Sequence, residues 1–169
     1  MRGNPNWRIG LLALVVLALD QATKLLVRAH LGFGQEKPVI DGFFKLVHWG
    51  NTGAAWSLFR GNNVTLAFVA LAALLILFLT RHHFDIHTLG GQLALGLIFG
   101  GIVGNLLDRL THNHVTDFLY FYVIRRDGVE AGFPAFNLAD TAICIGVGLL
   151  LWLSWQAESR QPQPARPGG

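Results

Sequence analysis

The chain has 169 residues, 52% of them apolar and 14% charged, with a formal net charge of +3 and a mean hydropathy of +0.44. That balance is poor for a soluble domain and ordinary for a small polytopic membrane protein. Lys and Arg are scattered rather than gathered into a stripe, so the basic balance reads as membrane-flanking charge and excludes a nucleic-acid surface. The lone cysteine, Cys144, cannot form an internal disulfide and, lying within an apolar run, reads as a buried packing residue.

Four apolar runs of 17 to 19 residues follow one another: Ile9–Val27, Val64–Thr80, Leu89–Leu107 and Leu138–Trp155. At about 1.5 Å rise per residue each is roughly 26–29 Å long, close to the hydrocarbon thickness of a bilayer. The pattern predicts an all-α membrane protein with four transmembrane helices in one integral domain over residues 1–158. The first run follows Arg2 and Arg8 in the manner of a signal peptide. Asp20 and Lys24 interrupt its end and no small-residue cleavage pattern follows, so it reads as an uncleaved helix.

Four spans put both termini on one side, and the density of positive charge per loop residue assigns that side to the cytoplasm. The connection Arg81–Thr88 is short, while the loops at 28–63 and 108–137 are long and lie together on the opposite face, where function concentrates. Phe43–Trp49 is β-prone and Gly50–Gly53 is a turn signal, which suggests a small sheet at the membrane surface. The second long loop holds another β-prone stretch, "VTDFLYFYVI". Trp49, Trp56, Tyr120 and Tyr122 suit an interfacial belt. Residues 159–169 read as a disordered cytoplasmic tail.

Ionisable residues in or beside membrane spans are costly and therefore informative. Asp20 and Lys24 lie four apart on one helical face, either as a self-neutralising pair or as a support for a polar cluster in the loops. Asn105, Asp108 and Arg109 close the third span on a shared face, either in an interfacial salt bridge or in contact with a polar substrate group. Asp117 follows in "HVTDF". Asn137 and Asp140 open the fourth span as N-cap and N3. Each aspartate alone reads as a turn or cap residue. Both fall at the same membrane face, however, and two converging carboxylates that share a proton are equipped to activate water for amide hydrolysis. His82, His83 and His87, and separately His112 and His114, have no accompanying zinc motif, and there is no serine nucleophile elbow or phosphate loop. Gly96, Gly100 and Gly104 form a small-residue ridge suited to close helix packing. A proton-coupled transporter subunit using Asp20, Lys24 and Asp140 is the alternative from another class, and a non-catalytic assembly factor is a third.

Five motifs then occur in order: "LDQATK" at 19–24, "NTGAAWS" at 51–57, "GNLLDR" at 104–109, "VTDF" at 115–118 and "FNLAD" at 136–140. In that order, over about residues 9–157, the chain resembles the lipoprotein signal peptidase (signal peptidase II) family. The resemblance implies a bacterial inner-membrane aspartyl endopeptidase with its site near the extracytoplasmic face. Its substrate is a diacylglyceryl-modified prolipoprotein, cut immediately before the lipidated cysteine. It implies Asp117 and Asp140 as the catalytic pair, and Asp20, Lys24, Asn51, Gly53, Asn105, Asp108, Arg109, Asn137 and Ala139 as residues that support the site or contact substrate. A β-rich cradle in the first long loop and a mobile lid loop or helix in the second are also implied. So are inhibition by globomycin-type cyclic peptides, contact with membrane lipids and a monomeric state, with neither cofactor nor metal. The sequence departs from the family pattern at Gly50, at Trp56 and in "VIRRDGVEAG", all within the loops that would cover substrate.

Overall fold

The computed structural model describes residues 5–53 and 61–159. Trp56, part of the "NTGAAWS" motif and nearly all of the expected tail lie outside the described residues. Four helices are long and apolar enough to cross a membrane: α1 (Pro5–His30), α2 (Asn63–Thr80), α3 (Leu89–His112) and α4 (Leu138–Ser159). Each contains one of the expected spans and runs past it by up to five residues. The overrun of α3 keeps Asp108 and Arg109 helical.

The third helix is the centre of the molecule. It packs against α1 and α4 along most of its length and against α2 over a shorter stretch. Glycine makes the close approach to α1 feasible: a Cβ on Gly96 would meet Leu12, one on Gly100 would meet Ala13 O and Val16, and one on Gly104 would lie 2.5 Å from Asp20 Oδ2. A second set serves α4, where Gly101 lies against Ala139 O and Ile143, and Gly146 against Ala94 O and Ile98. In lipid the tails are as apolar as the side chains, so such packing and polar contacts hold helices together where the hydrophobic effect does not. The expected ridge at 96, 100 and 104 is therefore the α1 interface.

The two long loops join into one antiparallel sheet in the order β1 (Glu36–Ile40), β2 (Phe44–Asn51), β3 (Val115–Ile124) and β4 (Glu130–Gly132). The first two strands come from the loop after α1, the last two from the loop after α3. The turn into β3 is made by Asn113, which closes α3 in the left-handed conformation at φ 61°, a geometry that Asn tolerates better than most residues. The chain reverses there, and Asp117 follows at the mouth of the helices. Lys45 pins the outer face by pairing with Glu36 (2.9 Å) and Glu130 (2.7 Å) while standing over the Tyr122 ring.

One expectation is narrowed and one corrected. The second long loop contains β3 and β4 and no helix anywhere in 113–137. Its run of β-branched and aromatic residues fits a pleated, half-buried surface better than a lid helix. Cys144 is exposed rather than buried. The buried face of α4 is made by Ala139, Ala142 and Gly146, small residues that let α3 approach, and Cys144 lies off that face.

Candidate active site

The polar residues singled out from sequence converge where α1, α3, β3 and the start of α4 meet, and they sort into two clusters. The first is a buried charge network. Lys24 Nζ lies 2.9 Å from Asp20 Oδ2 and 3.3 Å from Asp108 Oδ2, with all three side chains fully buried. Arg28 adds a contact of 3.5 Å to Asp108 Oδ1. Gln21 donates to Asp20 (3.1 Å), to Asp108 (3.3 Å) and to Gly104 O (3.2 Å). Asp20 also crosses to α4, where its Oδ1 accepts from the Ala139 N–H at 3.0 Å. That donor is one of the orphan amides of a helix N-terminus, so a carboxylate on the first helix caps the last. Ala139 is fully buried, with its carbonyl against Gly101, so a larger side chain has no room at this crossing.

The second cluster contains Asp117 and Asp140. Asn137 and Asp140 form a reciprocal capping box: Asn137 Oδ1 accepts from the Asp140 N–H (2.9 Å) and Asp140 Oδ2 accepts from the Asn137 N–H (3.3 Å). The Asn137 amide then donates to Asp117 Oδ1 at 2.9 Å. Asn51 donates to the other oxygen, Asp117 Oδ2, at 3.0 Å. Asn105 donates to Asp140 Oδ1 at 2.7 Å.

The three asparagines share one logic. Each amide oxygen is occupied by a fixed donor: Gly53 N–H for Asn51 (2.9 Å), Lys24 Nζ for Asn105 (3.0 Å) and the Asp140 N–H for Asn137. Each NH2 is thereby turned toward a carboxylate. Among the described residues no Lys, Arg or His lies within ion-pair distance of Asp117 or Asp140. Asp117 is only 3% exposed. Burial, and then the neighbouring charge of Asp140, pushes its carboxyl up to about 7 against the opposing pull of Asn51 and Asn137. A carboxylate beside a second carboxylate, with neutral donors alone, holds a proton near neutral pH.

The two aspartates open into a cleft of about 1040 Å³. Arg109 lines it too, with Nη2 on Gly53 O (2.9 Å) and Nη1 on Asn63 Oδ1 (3.2 Å). Asp108 and Arg109 therefore diverge: Asp108 turns to α1 and Arg109 to the loop after β2 and to α2, and no salt bridge joins them. Trp49, Tyr120, Phe133 and Phe136 give one aromatic wall, and Ile143, Cys144 and Ile145 give an apolar wall on α4. Sequence reasoning missed Gln21, Arg28, Asn63 and Thr116. Gln21 and Thr116 sit inside quoted motifs, beside a charged residue that drew the attention. Asn63 and Arg28 carry no local signal, because their partners are 46 and 88 residues away.

Four spanning helices around a polar cleft at their ends define a multi-pass membrane protein with a buried polar site. Comparison with known proteins agrees: the family described as Signal peptidase (SPase) II matches residues 12–156. The lipoprotein signal peptidase of Azoarcus sp. (strain BH72) is 42% identical, covering 92% of this chain and 88% of the relative. That of Bacillus subtilis (strain 168) is 35% identical over 83% of this chain and 88% of the relative. A solved bacterial membrane enzyme superimposes with a TM-score of 0.74 at 29% identity, covering 94% of this chain and 93% of the other. The chain belongs to the signal peptidase II family. It is a multi-pass peptidase of the bacterial inner membrane that removes signal peptides from prolipoproteins, and the transporter reading has no support.

Proposed function

We propose that this peptidase is of the aspartic type, with Asp117 and Asp140 as its catalytic pair. The observation that carries this reading is the cleft in which both carboxylates are held by amide donors alone, with Asp117 titrating near 7. The pair carries one shared proton and titrates as a unit. One carboxylate takes a proton from water as that water attacks the scissile carbonyl. The other hydrogen-bonds the carbonyl oxygen as charge develops there, and a proton then passes to the departing amine so that the C–N bond breaks. Arg109 and Asn51 are placed to bond the substrate backbone or headgroup. Asp20, Lys24, Asp108, Asn105, Asn137, Gly53 and Ala139 hold the site together.

The substrate in this reading is a prolipoprotein whose cysteine carries a diacylglyceryl group, with cleavage just before that cysteine. The apolar wall on α4 faces the direction from which acyl chains in the bilayer would approach, so substrate arrives laterally with its chains still in lipid. Both termini are cytoplasmic, the site is extracytoplasmic, and the sheet acts as the cradle that covers substrate. The enzyme works as a monomer, and globomycin-type cyclic peptides occupy the same cleft. The test is cleavage, by the purified protein in detergent, of one precursor with and without its diacylglyceryl group. The expected result is cleavage of the lipidated form alone, blocked by a cyclic peptide of that type. Equal cleavage of the unlipidated form would remove the lipid requirement.

A further inference from the structure

The ladder that should fix the register of β3 is broken beside Asp117. Pairing with β2 runs from Phe44↔Phe121 to Leu46↔Leu119 and resumes at Trp49↔Asp117. Three steps on β2 answer two on β3, so β2 bulges at Val47 and His48. The bulge is tied to the preceding turn rather than to β3: Gly34 N–H donates to His48 O (2.8 Å) and His48 N–H to Gln35 O (3.0 Å). Side chains alternate along a strand, so a slip of one residue would turn Asp117 out of the cleft and Thr116 into it.

We propose that Thr116, clamped by Arg28 and Asp108, is a positioning residue that fixes the register and aim of Asp117. The inference rests on the reading of Asp117 as catalytic. Thr116 is fully buried and does not line the cleft. All its polar groups are held from outside the sheet. Its N–H donates to Asp108 Oδ2 (2.9 Å), its hydroxyl accepts from Arg28 Nη1 (3.0 Å), and its carbonyl accepts from the Asn137 amide (3.4 Å). These partners come from α3, α1 and the cap of α4. Arg28 Nη1 also approaches Asp108 Oδ1 (3.5 Å), which closes a triangle across three elements. The held carbonyl belongs to the peptide unit that supplies the Asp117 nitrogen, so the clamp acts one bond from the catalytic residue. A Ser hydroxyl can replace the Thr hydroxyl, whereas Val preserves shape and β propensity and deletes the bond.

The experiment uses the full-length protein in detergent with a lipidated precursor, reading kcat, KM and melting temperature together. Thr116→Val and Arg28→Gln should each lower kcat by about ten- to a hundredfold, since a misplacement of about 1 Å costs on the order of 10²-fold. KM should stay within about twofold, because neither residue lines the cleft. Thr116→Ser should recover at least about half of the lost rate, and the double variant should be no slower than the slower single, as expected of one coupled unit. Three outcomes overturn the clamp: Thr116→Val with unchanged kcat, a loss carried by KM, or a loss no larger than the fall in folded fraction. Asp117→Asn, run in parallel, separates this inference from the one it rests on. If Asp117→Asn is inactive while Thr116→Val is fully active, the clamp alone fails. If Asp117→Asn remains active, the catalytic reading fails and takes the clamp with it.

Discussion

Two pairs of aspartates lie side by side in this fold and are treated in opposite ways. Asp20 and Asp108 meet Lys24 and Arg28, so their charges cancel within a helix interface. Asp117 and Asp140 meet three amides, no cation at ion-pair distance among the described residues, and an open cleft. A cation would lock a carboxylate in its ionised form, while an amide supports it and leaves a proton free to come and go. On the proposed reading, the same residue type serves architecture in one cluster and chemistry in the next. Asn105 stands between them, with its oxygen on Lys24 and its amide on Asp140.

Exchanging one member of each cluster is the sharpest test of that division. Asp117→Asn and Asp140→Asn should each lower cleavage of a lipidated precursor by about 10⁴-fold or more, as for other residues that act as a unit, with a smaller change in melting temperature than Lys24→Met, since the new amide keeps one of the two accepted bonds and sets its NH2 against the other donor. A variant of either that cleaves at near-normal rate would end the assignment. Lys24→Met should do the reverse to the balance of effects. It leaves the buried Asp20 without a cation and Asp108 with Arg28 alone, and breaking a buried ion pair costs about 3–5 kcal/mol, so thermal unfolding in detergent should show a large loss of stability whatever happens to the rate.

The pH dependence separates the clusters in a third way. The Asp117 carboxyl sits at about 7 in the folded protein against its ordinary value of 3.8. Between those values the folded state binds the proton and the unfolded state does not. Its contribution to stability is therefore fully present below about pH 4 and is lost as pH rises through about 7. Melting temperature measured across that window should show this decline in the wild type and a shallower one in Asp117→Asn; parallel curves would count against a raised pKa. The rate should fall on the alkaline side of about 7 as the shared proton leaves. The smallest effect belongs to Gly104→Ala. The added methyl group meets Asp20 Oδ2, an overpacking that costs about 1–3 kcal/mol, and it should lower the melting temperature while leaving KM unchanged.

Much of this was legible in the residues themselves. The spans are set by length and apolarity, and the Asn137–Asp140 cap by its i, i+3 spacing, so both follow from local rules. The Asp20–Lys24 pair was legible as an ion pair, but its link to Asp108 was not, because that link depends on how closely Gly104 lets α1 approach α3. Of the lid loop or helix expected in the second loop, no helix forms in 113–137, because strand pairing with the first loop, between segments some 70 residues apart, takes up those residues. Cys144 looked buried because an apolar run does not reveal which face of its helix meets protein and which meets lipid. The Arg28–Thr116 bond spans 88 residues and has no local signature at all.

The bond from Asp20 on α1 to the Ala139 amide on α4 also bears on how the protein is made. The first helix is made carrying a carboxylate whose hydrogen-bond donor lies 119 residues further along the chain. Until α4 arrives, Asp117 has no Asn137 to aim it and no Asp140 to share its proton. If Asp117 and Asp140 are the catalytic pair proposed above, a chain whose α4 has not yet joined the other helices lacks half of that pair, and activity waits for α4 to pack.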